Sequence, residues 1–331
     1  MPKSENQKLK LLYLAKILGE QTDENHPLTV AEMIKELEAY GICAERKSIY
    51  SDLEALQSFG LDIATQKSRG TGYFVASRTF ELPELKLLTD AVASSKFITE
   101  KKSTQLIKKL ETLASVHEAK QLHRQVYVLG RVKTENETIY YNVDVIHEAI
   151  GQNRKISFQY FEYTVDKEKH LRHGGKRYRV SPYALSWDDE NYYMIGHYEE
   201  REGLTHFRVD KMLNIQLLEE KREELPQGMA FHLGDYSKKM FNMFAGEEQQ
   251  IELQFDNSLI GVVIDRFGGD VPVVRVDENS FLIHITASVS PTFLAWVFSF
   301  GDRVRILSPK SLAERFQSML QEQLSRYEDR C

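Results

Sequence analysis

The chain has little cysteine: two residues in 331, Cys43 and Cys331. That excludes a disulfide framework and makes a reducing, cytoplasmic setting the expectation. Long apolar runs are missing too. None approaches the ~20 consecutive apolar residues of a membrane helix, and the polar start Met1-Pro-Lys-Ser-Glu-Asn-Gln does not read as a signal peptide. No membrane partner is expected. Nor is there an excess of positive charge. The 43 Lys and Arg against 49 Asp and Glu leave a net charge of −6, so the field of the whole molecule repels phosphate. Any contact with nucleic acid must then come from a local basic surface. The constellations of an enzyme are also lacking. No nucleophile–base pair is visible, and Gly174-Gly175 and Gly268-Gly269 are isolated turn signals rather than a phosphate-cradling loop. His170 and His173 lie in a loop beside glycines with no cysteine near, short of the ~3–4 converging ligands of a metal site. Catalytic residues, metal and cofactor are therefore not expected.

What is present begins with helices. Residues 9–18 predict a first helix, with Leu11, Leu14, Ala15 and Leu18 at the i, i+3, i+4, i+7 positions. A polar stretch from Gly19 to Pro27 leads to Thr29-Val-Ala-Glu32, a capping box that opens a second helix with Val30, Ile34 and Leu37 on its apolar face. That helix should stop near Gly41. A third follows at once, with Ile49, Leu53 and Leu56 inward and Phe59-Gly60 at its end. Leu61–Gln66 and Arg69–Val75 then read as two short strands about a Gly-containing basic loop. Three helices, the last two separated by a tight turn, plus a β-hairpin make a winged helix-turn-helix.

With its stripe facing inward, the third helix presents Arg46, Lys47, Ser48, Tyr50 and Ser51 outward. Those are phosphate and guanine-edge chemistries. Lys67 and Arg69 on the wing add phosphate or minor-groove contacts. Bulk charge does not help this reading, because residues 1–78 hold 10 Lys and Arg against 11 Asp and Glu. The order of helix, capped helix, basic helix and hairpin carries it.

Arg46-Lys-Ser-Ile-Tyr-Ser-Asp-Leu-Glu-Ala-Leu56, Phe59-Gly60-Leu61 and Arg69-Gly-Thr-Gly-Tyr-Phe74 resemble the N-terminus of the bacterial WYL-domain transcriptional regulators. Ser51 stands where those proteins commonly carry Arg. Further on, residues 81–115 predict a pair of helices, with stripes Leu85, Leu88, Val92 and Leu106, Leu110, Leu113, suited to a linker, a dimerisation hairpin or plain packing. Between residues 116 and 142, Gln125-Val-Tyr-Val-Leu and Thr138-Ile-Tyr-Tyr suggest extended pieces before a helix at Val143–Gly151.

From Lys155 the period becomes two. Lys155–Phe161, Lys176–Leu185, Asn191–Tyr198 and Leu204–Lys211 read as strands, with turns at Asp188-Asp-Glu-Asn and Arg201-Glu-Gly. Short strands at this spacing imply a small, bent sheet or barrel. Pro182-Tyr-Ala-Leu, Tyr192-Tyr193-Met194-Ile-Gly196 and Phe207-Arg208-Val-Asp210-Lys211-Met212 resemble the WYL domain in order and spacing, which implies an Sm/SH3-like barrel. Only Tyr193 is a literal match to the Trp-Tyr-Leu tripeptide.

Between Lys167 and Arg179 stand six Lys and Arg, one Glu, His170 and His173, with Tyr160, Tyr178, Tyr192 and Tyr193 around them. Cations interleaved with aromatics suit a nucleotide or single-stranded nucleic acid. Tyr160, Arg177, Arg179, Tyr193, Arg208 and Lys211 are the effector candidates, with an Arg208–Asp210 ion pair or a solvated loop as the structural alternatives. Past Leu225-Pro226 the order βαββαβ suggests a ferredoxin-like unit. Gly301-Asp302-Arg-Val-Arg-Ile-Leu-Ser308-Pro309 resembles the extension that follows WYL domains.

The expectation is thus an α+β multidomain chain: a winged helix-turn-helix (1–78), a helical linker or dimerisation region (79–142), a WYL effector-sensing domain (143–225) and a WYL-associated domain (226–331). Function follows as a homodimeric regulator that binds double-stranded operator DNA and is modulated by an anionic effector. An enzyme acting on nucleotides in the β-rich half, or an interaction adaptor that binds no DNA, are the alternatives.

Overall fold

The computed structural model describes residues 9–67, 70–122, 133–134, 136–225, 240–241, 243 and 246–328. The chain divides into two compact units, residues 1–137 and 138–331.

The first unit opens with helices α1 (Lys10–Gln21), α2 (Val30–Ala39) and α3 (Arg46–Phe59). They bury Leu14, Leu18, Met33, Leu37, Ile49, Leu53 and Leu56 in one core. The capping box forms as expected. Thr29 N donates to Glu32 Oε2 at 2.7 Å, and Glu32 N donates to the Thr29 hydroxyl at 3.4 Å. Gly60 ends α3 at φ 114°, a left-handed geometry that glycine adopts without a Cβ penalty. Strands β2 (Ile63–Lys67) and β3 (Thr71–Val75) form the hairpin, and a two-residue strand β1 (Leu28–Thr29) joins it in the order β1-β3-β2. β1 is too short to show periodicity, so the sequence carries no sign of it. It brings Pro27 against Gly72, where a Cβ would meet the proline ring at 2.8 Å.

The polar stretch after α1 is anchored at Asp23. Its carboxylate accepts the Ser115 hydroxyl at 2.5 Å, His26 Nδ1 at 2.7 Å and the Asn25 N–H at 3.0 Å. His26 also stacks on His117 at 3.8 Å. Burial alone would push this carboxyl up. The donors from Ser115, His26 and Asn25 outweigh burial and hold it below its ordinary value of 3.8. A depressed folded pKa stabilises the fold above the unfolded value, and the contribution disappears as pH falls through the folded one. Asp23→Asn is therefore expected to lower stability by about 1–3 kcal/mol at neutral pH. In urea titrations, the gap between wild type and variant should close below about pH 4. A gap that persists unchanged in acid would refute the role of the anion.

Among the described residues the unit has three more helices: α4 (Leu82–Ser94), α5 (Glu100–Glu111) and α6 (Val116–Leu122). Leu85, Ala114 and Leu122 make their small buried core. Leu88 and Leu113, predicted inward, are each 40% exposed. The helix at 116–122 lies in a stretch to which the sequence assigned no element, and Gln125–Leu129, which read as extended, lie outside the described residues.

The second unit begins with α7 (Ile139–Gly151). Ile139-Tyr-Tyr, expected as extended chain, are instead its first turn, because Ile139, Ile146 and Ala149 continue one buried stripe. Strands β4 (Arg154–Tyr163), β5 (Lys169–Leu171), β6 (Tyr178–Asp188), β7 (Asn191–Tyr198) and β8 (Leu204–Arg208) follow in the order β5-β4-β6-β7-β8. Strand β9 (Met212–Lys221), not foreseen, pairs with β4 and curls the antiparallel sheet. Asp189 and Glu190 take positive φ at the β6–β7 turn, the mark of a two-residue hairpin whose twist matches its strands. Asn142 on α7 donates to the Met212 carbonyl at 3.1 Å and ties helix to sheet.

After β10 (Glu247–Asp256) come α8 (Ile260–Phe267), β11 (Val273–Arg275), β12 (Ser280–Val289), α9 (Pro291–Phe298), β13 (Val304–Ser308) and α10 (Lys310–Glu328). The sheet runs β11-β12-β10-β13, and Phe255, Val263, Ile283, Phe293 and Val297 fill its core. Ile260 and Ile264 on α8 are exposed.

Candidate nucleic-acid interface and ligand cleft

With Ile49, Leu53 and Leu56 buried, the helical period of α3 leaves Arg46, Lys47, Tyr50 and Ser51 in solvent. Arg46 Nε donates to the Tyr50 hydroxyl one turn on, at 3.2 Å, and its guanidinium lies 6.0 Å from that ring's centroid. The contact holds the cation near the helix start. Ser48 is half-buried and donates its hydroxyl to the Glu45 carbonyl at 2.8 Å, so that hydrogen is spent within the first turn. Lys10 on α1 pairs with Asp52 at 2.7 Å and fixes the roll of α3. Lys67 is exposed at the end of β2, and Arg69 lies outside the described residues.

In the second unit the basic run of residues 167–179 does not form one positive surface. Lys176 pairs with Glu200, and Arg179 pairs with Glu220 and, at 3.5 Å, with Glu199. Arg172 meets Glu162 at 3.5 Å. Lys155 bridges Glu199 at 2.8 Å and Glu223 at 2.7 Å. Arg177 donates to the Ser157 hydroxyl and carbonyl and to the Asn214 carbonyl, joining β6 to β4 and β9. Most of these acids arrive from distant parts of the chain, so local charge counting misses them.

The six effector candidates divide. Successive residues of a strand face opposite sides, so Phe207 and Arg208 on β8 point apart. Arg208 forms a bidentate pair with Asp210, at 3.0 and 2.8 Å, and donates to Asn191 at 2.8 Å. Its register partner Tyr193 is buried against Met240 and Met243. Lys211 sits on the short helical turn between β8 and β9. Tyr160 faces the other way.

There, Tyr160, Tyr178, Tyr198 and Phe207 wall a cleft of about 240 Å³, with Arg172, His173 and Arg201 among its other lining residues. The rings brace one another, Tyr178 lying 5.6 Å from Phe207 and 5.1 Å from Tyr198. The Tyr160 hydroxyl accepts the Arg208 N–H at 3.2 Å, and burial pushes its pKa up to about 12. Burial, with Glu200 accepting the Tyr198 hydroxyl at 2.8 Å, lifts Tyr198 to about 12 as well. Both therefore stay protonated donors at neutral pH. Arg201 is exposed and, among the described residues, has no ion pair. Tyr198 and Arg201 were legible only as strand and turn residues, since their meeting with Tyr160 depends on how the sheet curls.

The geometry invites chemical use of two kinds: an exposed basic helix face in one unit and an aromatic, cation-rimmed cleft in the other. Comparison with known proteins bears on the second unit. The WYL domain matches residues 141–217 and the WCX domain matches residues 247–324. No curated protein matches the chain. Among solved structures it is similar to proteasome accessory factor B/C (PafBC) of Arthrobacter aurescens, at 16% identity and a TM-score of 0.28, covering 98% of this chain and 51% of that one. The chain thus spans about half the length of that protein. In its β-rich part the chain carries a WYL domain followed by a WCX domain.

Proposed function

We propose that this WYL-domain protein is a transcription regulator that binds operator DNA through α3, and that an anionic ligand in its WYL domain modulates that binding. The observation that carries the reading is the exposed start of α3, where Arg46, Lys47, Tyr50 and Ser51 stand clear of a core closed by Ile49, Leu53 and Leu56. The first turns of a recognition helix reach base edges in the major groove. The hairpin β2–β3, with Lys67, supplies the wing. A homodimer would set two such helices about 34–36 Å apart for successive grooves.

For the ligand we propose the tyrosine-lined cleft, with Tyr160 donating its hydroxyl hydrogen and Arg172 and Arg201 receiving negative charge. Stacking faces beside cations suit a nucleotide or a short single strand. A ligand that binds one arrangement of the protein more tightly shifts the population and, with it, operator affinity.

Selection from a random pool of DNA duplexes with the full chain, at low salt, tests the proposal. Enrichment of a site with two-fold symmetry is the expected result. Retention of no duplex would reject DNA binding and favour an adaptor role.

A further inference from the structure

A second concave site lies where the WCX domain meets Phe241, and it shares no lining residue with the tyrosine cleft. Phe241, Arg266 from α8, and Thr292, Ala295 and Trp296 from α9 line a pocket of about 320 Å³. That lies at the lower end of the ~300–1,000 Å³ of small-molecule sites. Arg266 is the charged group among these lining residues. Its guanidinium carbon lies 4.1 Å from the Phe241 ring centroid, and one terminal nitrogen donates to the Met240 carbonyl. Its Nε is buried and has no hydrogen-bond partner. Asp188 on β6 is the acid whose charge it feels. Yet Asp188 keeps a buried carboxylate oxygen that is also unbonded, so the two do not close an ion pair. A guanidinium held this way is short of negative charge, and an uncompensated buried cation is costly.

The facing wall is aromatic and braced. The Trp296 ring lies 5.2 Å from Phe241, 5.7 Å from Phe267 and 5.0 Å from Phe300. Ala295 contributes only a methyl group, which leaves room beside the indole. The Thr292 hydroxyl donates to the Phe241 carbonyl at 2.8 Å, so it offers a lone pair, not a hydrogen, to an occupant.

We infer that this pocket binds a small aromatic anion, its flat ring against Trp296 and its carboxylate or phosphate received by Arg266. The volume admits one ring system with one anionic group and excludes an oligonucleotide. An aromatic carboxylate and a mononucleotide present the same chemistry here. The site stands independently of the ligand proposed for the tyrosine cleft.

The chain has two tryptophans, Trp187 and Trp296, so Trp187→Phe leaves Trp296 as the single indole reporter. The full chain carrying that change is titrated with benzoate and, separately, with adenosine monophosphate, and indole emission is followed. Saturable quenching by at least one probe is expected, and which probe acts tells carboxylate from phosphate. Arg266→Gln should weaken that binding about tenfold or more, as loss of a charge-assisted hydrogen bond implies. Ala295→Phe fills the pocket, leaves Arg266 in place and should abolish binding without lowering the melting temperature; it decides the matter if Arg266→Gln fails to fold. Quenching by neither probe at millimolar concentration, or quenching unchanged in Ala295→Phe, would overturn the assignment.

Discussion

Lys47→Ala is expected to weaken binding to nearly all duplex sequences and to flatten the dependence of affinity on salt. Removing one phosphate-pairing cation lowers the slope of log K against log salt by about 0.9. Arg46→Ala is expected to behave differently. Arg46 sits at the first turn of α3 with its guanidinium held by Tyr50, an arrangement suited to the edge of a guanine. Its loss should cost about 1–3 kcal/mol on the preferred site and relax specificity at one base pair. Anisotropy titrations of the two variants on preferred and scrambled duplexes, at several salt concentrations, separate these outcomes. If both variants bound as the parent does, α3 would not be the reading helix.

The second large effect is expected at the WYL cleft. Reversing charge at both Arg172 and Arg201, each to Glu, should weaken an anionic ligand by more than about a hundredfold, since a hydrogen bond to a charged group is worth about 1.5–3 kcal/mol. Binding of DNA without ligand should stay as it was. Tyr160→Phe should cost less, because it removes one hydroxyl from a ring that still stacks. Arg177→Ala offers the contrast. Its donors are spent on Ser157 and Asn214 within the sheet, so it should lower the melting temperature more than ligand affinity. Calorimetric titration of a mononucleotide and a short single strand, read beside thermal melts, distinguishes a ligand contact from a sheet contact. Equal losses of affinity in the Arg177 and Arg172/Arg201 variants would place the ligand elsewhere.

Local order was legible from the residues wherever partners lie within a few positions. The Thr29–Glu32 capping box, the stripe Ile49, Leu53, Leu56, the stop at Gly60 and the tight turn at Asp189-Glu190 all appear where the chain places them. Each rests on contacts three or four residues apart or on a backbone angle that a few residue types tolerate. The exposed start of α3 follows from the same periodicity. The basic run at 167–179 shows the opposite. As a string it is a positive patch, but in the fold Glu199 and Glu200 from the turn after β7, and Glu220 from β9, come to meet it. The cleft belongs to tertiary structure too, because Tyr160, Tyr178, Tyr198 and Phe207 come from four strands. So does the pocket at Arg266, where Phe241 and Trp296 meet across more than fifty residues of chain. Sequence by itself determined the first three helices, the Thr29–Glu32 cap and the tight turns of this protein, and with them the face that α3 presents. Tertiary structure decided which charges are compensated and which aromatic rings face one another, because strand pairing joins residues whose separation along the chain carries no record of their contact.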